Sequence, residues 1–279
     1  MAERLGREEV RRALDEDEAR HDITTALLGD SADAPALGRF IAEEACVVAG
    51  GPVAHEVFAQ LDPAAGFVQY IAEGNRVEAG GVVAAVEAPA RIILAGERVA
   101  LNFLQRLSAI ATQTRLAVEA VRGMGTEITD TRKTTPGLRA LEKYAVRTGG
   151  GMNHRLSLSD AILFKDNHWT LLRRGRGSLG EAIAGAPPDV SVTVEIETEQ
   201  ELALALAAGV TRLLVDNQPP ERVAEWVQRC GPDVAIEASG GIVPETAAAY
   251  ARAGARYISI GALTHSISAV DIRLDLAFP

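Results

Sequence analysis

From about residue 125 onward, short apolar runs alternate with stretches of helical period, and most of the apolar runs end in a polar group. The runs fall at 126–131, 160–165, 190–196, 212–216, 234–238 and 256–260, with a short seventh near 153–156. Helices fit between most of them, among them 198–208, 219–230 and 244–253. Strands that alternate with helices predict parallel βα units, here a closed or nearly closed α/β barrel of fewer than eight strands. The active site of such a barrel lies at the C-terminal ends of its strands. Those ends read Asp130-Thr131-Arg132-Lys133, Lys165-Asp166-Asn167-His168, Glu195 with Glu197, Asp216-Asn217, Glu237-Ala238-Ser239-Gly240-Gly241 and Gly261-Ala262-Leu263-Thr264-His265. One or two polar strand ends are ordinary wet surface. Six point to one shared pocket.

The first part of the chain has another texture. Residues 3–20 predict an acidic amphipathic helix, followed by cap chemistry at Asp22, Thr24 and Thr25. Between 37 and 95, glycines break the chain into short β-rich segments, FIAEEACVVAGG, FVQYIAEGNRV and GVVAAVEAPARIILA. Glu97–Val121 predicts one long helix or a broken pair, with Leu101, Leu104, Leu107 and Ile110 at helical spacing. The domain junction is expected within or near it, giving domains of 1–107 and 108–279, the last residues free to return to the first domain. No run approaches the roughly 20 apolar residues of a membrane helix, and the opening residues are too charged for a secretory signal. Cys46 and Cys230 lie far apart, without disulfide or zinc spacing. A cytoplasmic enzyme is expected.

A net charge of −10 argues against general nucleic-acid binding. It allows a local anion site. Between Asp130 and Arg155 six cationic residues face two acidic ones, a net of 6 − 2 = +4. Of 28 Lys plus Arg only Lys133, Lys143 and Lys165 are lysine. Where arginine is otherwise used, a lysine suggests a position that needs a compact ammonium.

The segments ERVALNFLQRLSAIAT (97–112), DTRKTTPGLRALEKYAV (130–146), GGGMNHRLSLSDAILFKDNH (149–168), LLVDN (213–217), EASGGI (237–242) and SIGALTHS (259–266) resemble quinolinate phosphoribosyltransferase, also called nicotinate-nucleotide pyrophosphorylase, carboxylating. The resemblance covers nearly the whole chain. It departs at Ser108-Ala109-Ile110-Ala111-Thr112, where the family usually has SGIAT. It implies a small N-terminal α/β sandwich domain and a C-terminal α/β barrel of six or seven parallel strands. It implies transfer of the phosphoribosyl group of phosphoribosyl pyrophosphate to quinolinate, giving nicotinate mononucleotide, pyrophosphate and carbon dioxide, with Mg2+, in NAD biosynthesis. The family's unit is a homodimer with shared active sites, or a higher oligomer.

By this resemblance Arg132, Lys133, His154, Arg155 and Lys165 bind the substrates, and Arg98 comes from the neighbouring subunit. Guanidinium groups suit a dicarboxylate because they pair with it bidentately. Lys133 and Lys165 also match catalytic positions beside the leaving pyrophosphate. Glu195 and Asp216, ending consecutive strands, suit Mg2+, directly or through water, or the ribose hydroxyls; Glu197 competes with Glu195. Ser239, Gly240, Gly241, Gly261 and Ala262 suit a phosphate, since glycine lets backbone N–H groups come close. His168 and His265 are further candidates. Competing readings are a molybdenum-transport-associated relative, an imine-forming sugar-phosphate lyase and a sensor without turnover.

Overall fold

The computed structural model describes residues 5–175 and 177–278. In chain order the elements are α1 (Arg7–Glu16), α2 (Ile23–Ala26), β1 (Pro35–Ala42), β2 (Cys46–Val47), α3 (Gly51–Leu61), β3 (Gly66–Gln69), β4 (Arg76–Val77), β5 (Val82–Pro89), α4 (Ala90–Ala120), β6 (Glu127–Thr129), α5 (Arg139–Gly149), β7 (Ile162–Phe164) and α6 (Asp166–Arg174). Then follow α7 (Leu179–Ala184), β8 (Val192–Ile196), α8 (Glu199–Ala207), β9 (Arg212–Asp216), α9 (Pro220–Cys230), β10 (Ala235–Ser239), α10 (Pro244–Arg252), β11 (Tyr257–Ser259), α11 (Ala262–His265) and β12 (Ile272–Ala277). Residues 3 and 4 of the expected first helix lie outside the described residues; the rest of that helix spans only Arg7–Glu16.

The chain divides into two compact units. One holds the residues through Arg115 with Thr135–Gly150 and Ser266 onward, and the other holds Leu116–Thr134 with Gly151–His265. By its contacts the chain divides inside α4, at 115/116. Thr135–Gly150 joins the first unit because Leu141, Ala145 and Val146 of α5 sit in that unit's apolar core with Phe40, Phe58, Leu104 and Ile110.

The first unit carries a four-stranded antiparallel sheet ordered β12-β1-β5-β3 and a small β2–β4 ribbon. Helix α4 begins at Ala90, seven residues before the expected Glu97, so ARIILA is helix rather than strand. Ile93 is buried with Ala100, Leu104 and Leu107, and these spacings of 7, 4 and 3 form one helical stripe. Helix α3 carries Pro52 in its first turn, a helix-start signal that the strand reading of this stretch passes over. Its N-terminal N–H groups, those of Gly50 and Gly51, are capped by the Glu73 carboxylate at 2.8 and 2.9 Å, from more than 20 residues away. Ser108 and Thr112 of α4 bond the β2 segment: Thr112 Oγ1 accepts from Val47 N–H at 2.8 Å, and Ser108 Oγ accepts from Ala49 N–H at 3.1 Å.

The second unit is a six-stranded parallel sheet ordered β6-β11-β10-β9-β8-β7, with helices between the strands, in the manner of an α/β barrel. Side chains two apart on a strand share a face. One face carries Val194, Ile196, Leu213, Val215, Ile236, Ala238 and Ile258, packed with Trp169, Leu202, Val223 and Trp226 of the helices. The alternate positions include Thr129, Thr193, Glu195, Arg212, Asp216, Glu237 and Ser259, with Leu163 and Leu214 as buried apolar residues among them. This second face carries most of the sheet's polar side chains.

The expected seventh strand near 153–156 is not a strand. It shrinks to one parallel bridge, Thr129 with Met152. Beyond it, side chains take the backbone N–H groups that a ladder would use. His154 N–H goes to Asp130, Arg155 N–H to His154 Nδ1 and Leu156 N–H to Asp160.

Helices α4 and α5 meet closely. A Cβ at Gly149 would stand 2.5 Å from the Ala111 carbonyl oxygen and 2.6 Å from Thr114 Cβ, and Gly149 O accepts from Arg115 Nε at 2.9 Å. Gly149→Ala should therefore destabilise the protein by ~1–3 kcal/mol through overpacking. The check is a lower denaturant midpoint at unchanged m-value.

Candidate active site

Asp130, just past β6, is fully buried. Its Oδ2 accepts from Asn153 Nδ2 at 2.5 Å and its Oδ1 from His154 N–H at 2.9 Å. The loop carrying His154 and Arg155 is thereby tied to the end of β6. The Arg155 guanidinium donates to Ala161 O at 2.9 Å. Burial, and then the Arg132 charge, lower the Arg155 pKa from its ordinary value. Arg132 Nε is buried with no hydrogen-bond partner among the described residues. Among those residues no carboxylate pairs with Arg132, Lys133 or Arg155. Like charges held close in partial burial, without a carboxylate partner among the described residues, suit an anion.

Lys165 follows β7 and forms an ion pair with Glu195 of β8, whose carboxylate is nearly buried. Trp169 Nε1 donates to Glu195 O at 2.8 Å, which fixes the strand end. His168 is committed to local structure: its Nδ1 accepts from Lys165 N–H at 2.9 Å, and its ring stands edge-on to Phe164. Carboxylate oxygens of Glu195, Glu197 and Asp216 all lie within 4.8 Å of one another. Glu197 lies one residue beyond β8 and is exposed. Desolvation, then the Asp216 and Glu195 charges, raise its pKa. A cleft of about 240 Å³ lies beside this cluster, lined by Asp166, Trp169, Arg173, Glu195 and Glu197.

Ser239 closes β10, and its carbonyl accepts from Asn217 N–H at 2.9 Å. Gly240 has φ +94, and a Cβ there would stand 2.5 Å from Asn217 N. Only glycine fits. Gly241, at φ +62, has open space where its Cβ would be. A Cβ at Gly261 would meet the His265 ring at 3.0 Å and the Lys133 stem at 3.2 Å, so Lys133 lies over the β11 loop. Thr264 Oγ1 donates to Lys133 O at 2.8 Å and pins that loop. Ala262 opens α11, which is only four residues long. Arg98 is exposed on α4 in the first unit.

The sequence places Glu237 among the polar strand ends without giving it a role, and it leaves Arg212 out of the site. Glu237 is fully buried in β10. Its Oε2 accepts from Arg212 Nε and Nη2 at 3.1 and 2.7 Å, and its Oε1 accepts from the Ser259 hydroxyl and faces His154 Nε2 at 3.4 Å. Burial alone would raise the carboxyl pKa. The His154 contact, the Arg212 charge and the Ser259 hydroxyl more than offset it and hold the pKa at about 2. The signal was present in the parallel register, which aligns Glu237 with Tyr257 and Arg212 with Ala235.

Residues 110–275 match the family model described as quinolinate phosphoribosyl transferase, C-terminal domain, and residues 22–108 match the N-terminal domain model. The chain is 42% identical over 281 residues to the nicotinate-nucleotide pyrophosphorylase, carboxylating, of Mycobacterium leprae, covering 97% of this chain and 96% of that protein. It is 41% identical over 236 residues to a protein named probable nicotinate-nucleotide pyrophosphorylase, carboxylating, in Bacillus subtilis, with coverage of 85% and 82%. A crystal structure of nicotinate-nucleotide pyrophosphorylase from Ehrlichia chaffeensis superposes with a TM-score of 0.91 at 32% identity, over 99% of this chain and 100% of that one.

The depressed Glu237 pKa links stability to pH. A carboxyl held at about 2 when folded, against 4.5 as the ordinary value, stabilises the protein above about 4.5, and that contribution is lost as pH falls toward 2. The full swing is on the order of 3 kcal/mol for one group. Melting temperature measured from pH 5 to pH 2 should fall less steeply in Glu237→Gln than in the parent. Parallel slopes would show that Glu237 carries no such linkage.

Proposed function

The chain belongs to the quinolinate phosphoribosyltransferase family, and we propose that its strand-end residues join quinolinate to phosphoribosyl pyrophosphate, with loss of carbon dioxide, to make nicotinate mononucleotide for NAD biosynthesis. The observation that carries this reading is the unpaired Arg132–Arg155 pair, with Arg132 Nε buried and without a hydrogen-bond partner. Two adjacent carboxylates on one ring suit two such guanidiniums. Lys133, over the β11 loop, is placed to meet a phosphate or a carboxylate. The 5′-phosphate falls to the Ser239-Gly240-Gly241 and Gly261-Ala262 backbone.

Glu195, Glu197 and Asp216 suit a divalent cation: three negative charges less the Lys165 ammonium leave −2, and hard oxygen ligands match Mg2+. Bound there, Mg2+ would neutralise charge on the pyrophosphate. The protein's own part is to hold both reactants in line and to keep water out. The ring nitrogen forms its bond to the anomeric carbon as pyrophosphate leaves with the bonding electron pair. The resulting ring cation stabilises the carbanion left when the adjacent carboxylate departs as carbon dioxide, and a proton then fills that position. Arg132 and Arg155 retain the other carboxylate through both steps.

The same reading takes the enzyme as a cytoplasmic homodimer whose sites are completed by Arg98 of the neighbouring protomer. Exposure of Arg98 on α4 supports the shared site, and free Cys46 and Cys230 suit a reducing compartment. No helix among the described residues is long and apolar enough to cross a membrane.

Arg155→Ala should raise KM for quinolinate ~10- to 100-fold, the worth of one charge-assisted contact, and leave KM for phosphoribosyl pyrophosphate nearly unchanged; steady-state assays that follow nicotinate mononucleotide will tell. Shared sites predict complementation: Arg98→Ala and Lys133→Ala proteins, each inactive alone, should regain activity when mixed under subunit exchange. A mixture as inactive as its parts would refute the shared site.

A further inference from the structure

A site for a doubly negative ring gains nothing from a nearby carboxylate, yet Glu237 stands fully buried 3.4 Å from His154 Nε2. Its charge is offset from below by Arg212, which also lies over the Tyr257 ring, 4.0 Å from the centroid. Ser259, which donates to the same carboxylate, has Thr129 Oγ1 2.8 Å away. These residues come from β9, β10, β11 and β6, four neighbours in the sheet. The chain of polar contacts crosses them and ends on the His154 ring.

That ring is addressed at both nitrogens. Nδ1 accepts from Arg155 N–H at 2.8 Å, so it carries no proton, and the proton belongs on Nε2. Nε2 faces the Glu237 carboxylate. A histidine whose one nitrogen faces a carboxylate has its tautomer and plane set by it. A stability role alone explains the arrangement poorly, because a buried ion pair adds little over a packed apolar pair.

We propose that Glu237 is a positioning residue: it fixes the tautomer and plane of His154 and, through the bond from Arg155 N–H to Nδ1, the backbone from which Arg155 reaches the substrate dianion. This rests on the reading that Arg155 faces quinolinate. Glu237 itself touches no substrate in this scheme.

The test is steady-state kinetics on the full-length protein with Mg2+, for Glu237→Gln, His154→Ala, the double variant and Arg155→Ala. The expected result is a rise of about tenfold in KM for quinolinate with E237Q, the usual size for a group supporting a binding residue, and a KM for phosphoribosyl pyrophosphate within about twofold of the parent. H154A with E237Q should lose no more than H154A alone, because both act through one ring. Additive losses, or an E237Q protein with unchanged quinolinate KM beside a defective R155A, overturn the inference and leave the site assignment standing. An unaffected R155A removes the site assignment and the inference with it. If E237Q does not fold, Ser259→Ala takes its place, since it removes one donor to the same carboxylate oxygen; there a smaller rise in quinolinate KM is expected and an unchanged one overturns the proposal.

Discussion

Everything in the second unit turns on the cost of placing charge on the polar face of a small parallel sheet. The strands alternate, so packing Val194, Leu213, Ile236 and Ile258 against the helices leaves Glu195, Arg212 and Glu237 on the other face. A buried charge without a partner costs several kcal/mol. Two inward carboxylates are accordingly matched to cations: Glu237 to Arg212, and Glu195 to Lys165. This internal matching decides which cations remain. Arg132, Lys133 and Arg155 have no carboxylate to answer them among the described residues, and these are the ones that an anionic substrate can engage.

The same accounting shows how far the sequence could be read. Six strands of the parallel sheet were legible because each is a short apolar run ending in polar residues and followed by a helical period. The clustering of cations between 130 and 168 was legible from charge alone. For helix α3 the local signal is Pro52 in its first turn, whereas the group that caps it, Glu73, lies far along the chain and is not legible. The start of α4 was misread because ARIILA suits a strand or a helix until Ile93 is seen on the stripe of Ala100 and Leu104. Glu237 was seen as one more strand-end polar residue. Its importance depends on which side chains lie beside it on β9 and β11, and register is not written in any single strand.

The segment 152–156 shows how side chains can replace a strand. Apolar Met152 makes the one bridge to β6, and then Asp130, His154 and Asp160 accept the next backbone N–H groups. A ladder would have alternated the side chains of Asn153, His154 and Arg155 across two faces. Released from the ladder, the loop keeps His154 against Glu237 while Arg155 lies close enough to Arg132 to feel its charge. The even run of a seventh strand is given up, and a pair of adjacent guanidiniums is gained.

Sheet order then separates two electrical poles. The cations Arg132, Lys133 and Arg155 belong to the β6 end and the 152–156 segment, and the carboxylates of Glu195, Glu197 and Asp216 belong to β8 and β9. A chain of net charge −10 can therefore hold an anion without being basic, because fields are set by the nearest few charges, not by the sum. In the proposed reaction each pole has its own substrate: the cationic one receives a dicarboxylate that arrives without a metal, and the anionic one receives a pyrophosphate that arrives with Mg2+. Merged into one patch, the two sets of charges would pair with each other, as Lys165 and Glu195 already do, and neither substrate would find a partner. In the proposed reaction, their separation along the sheet keeps the two anions from competing for the same cations.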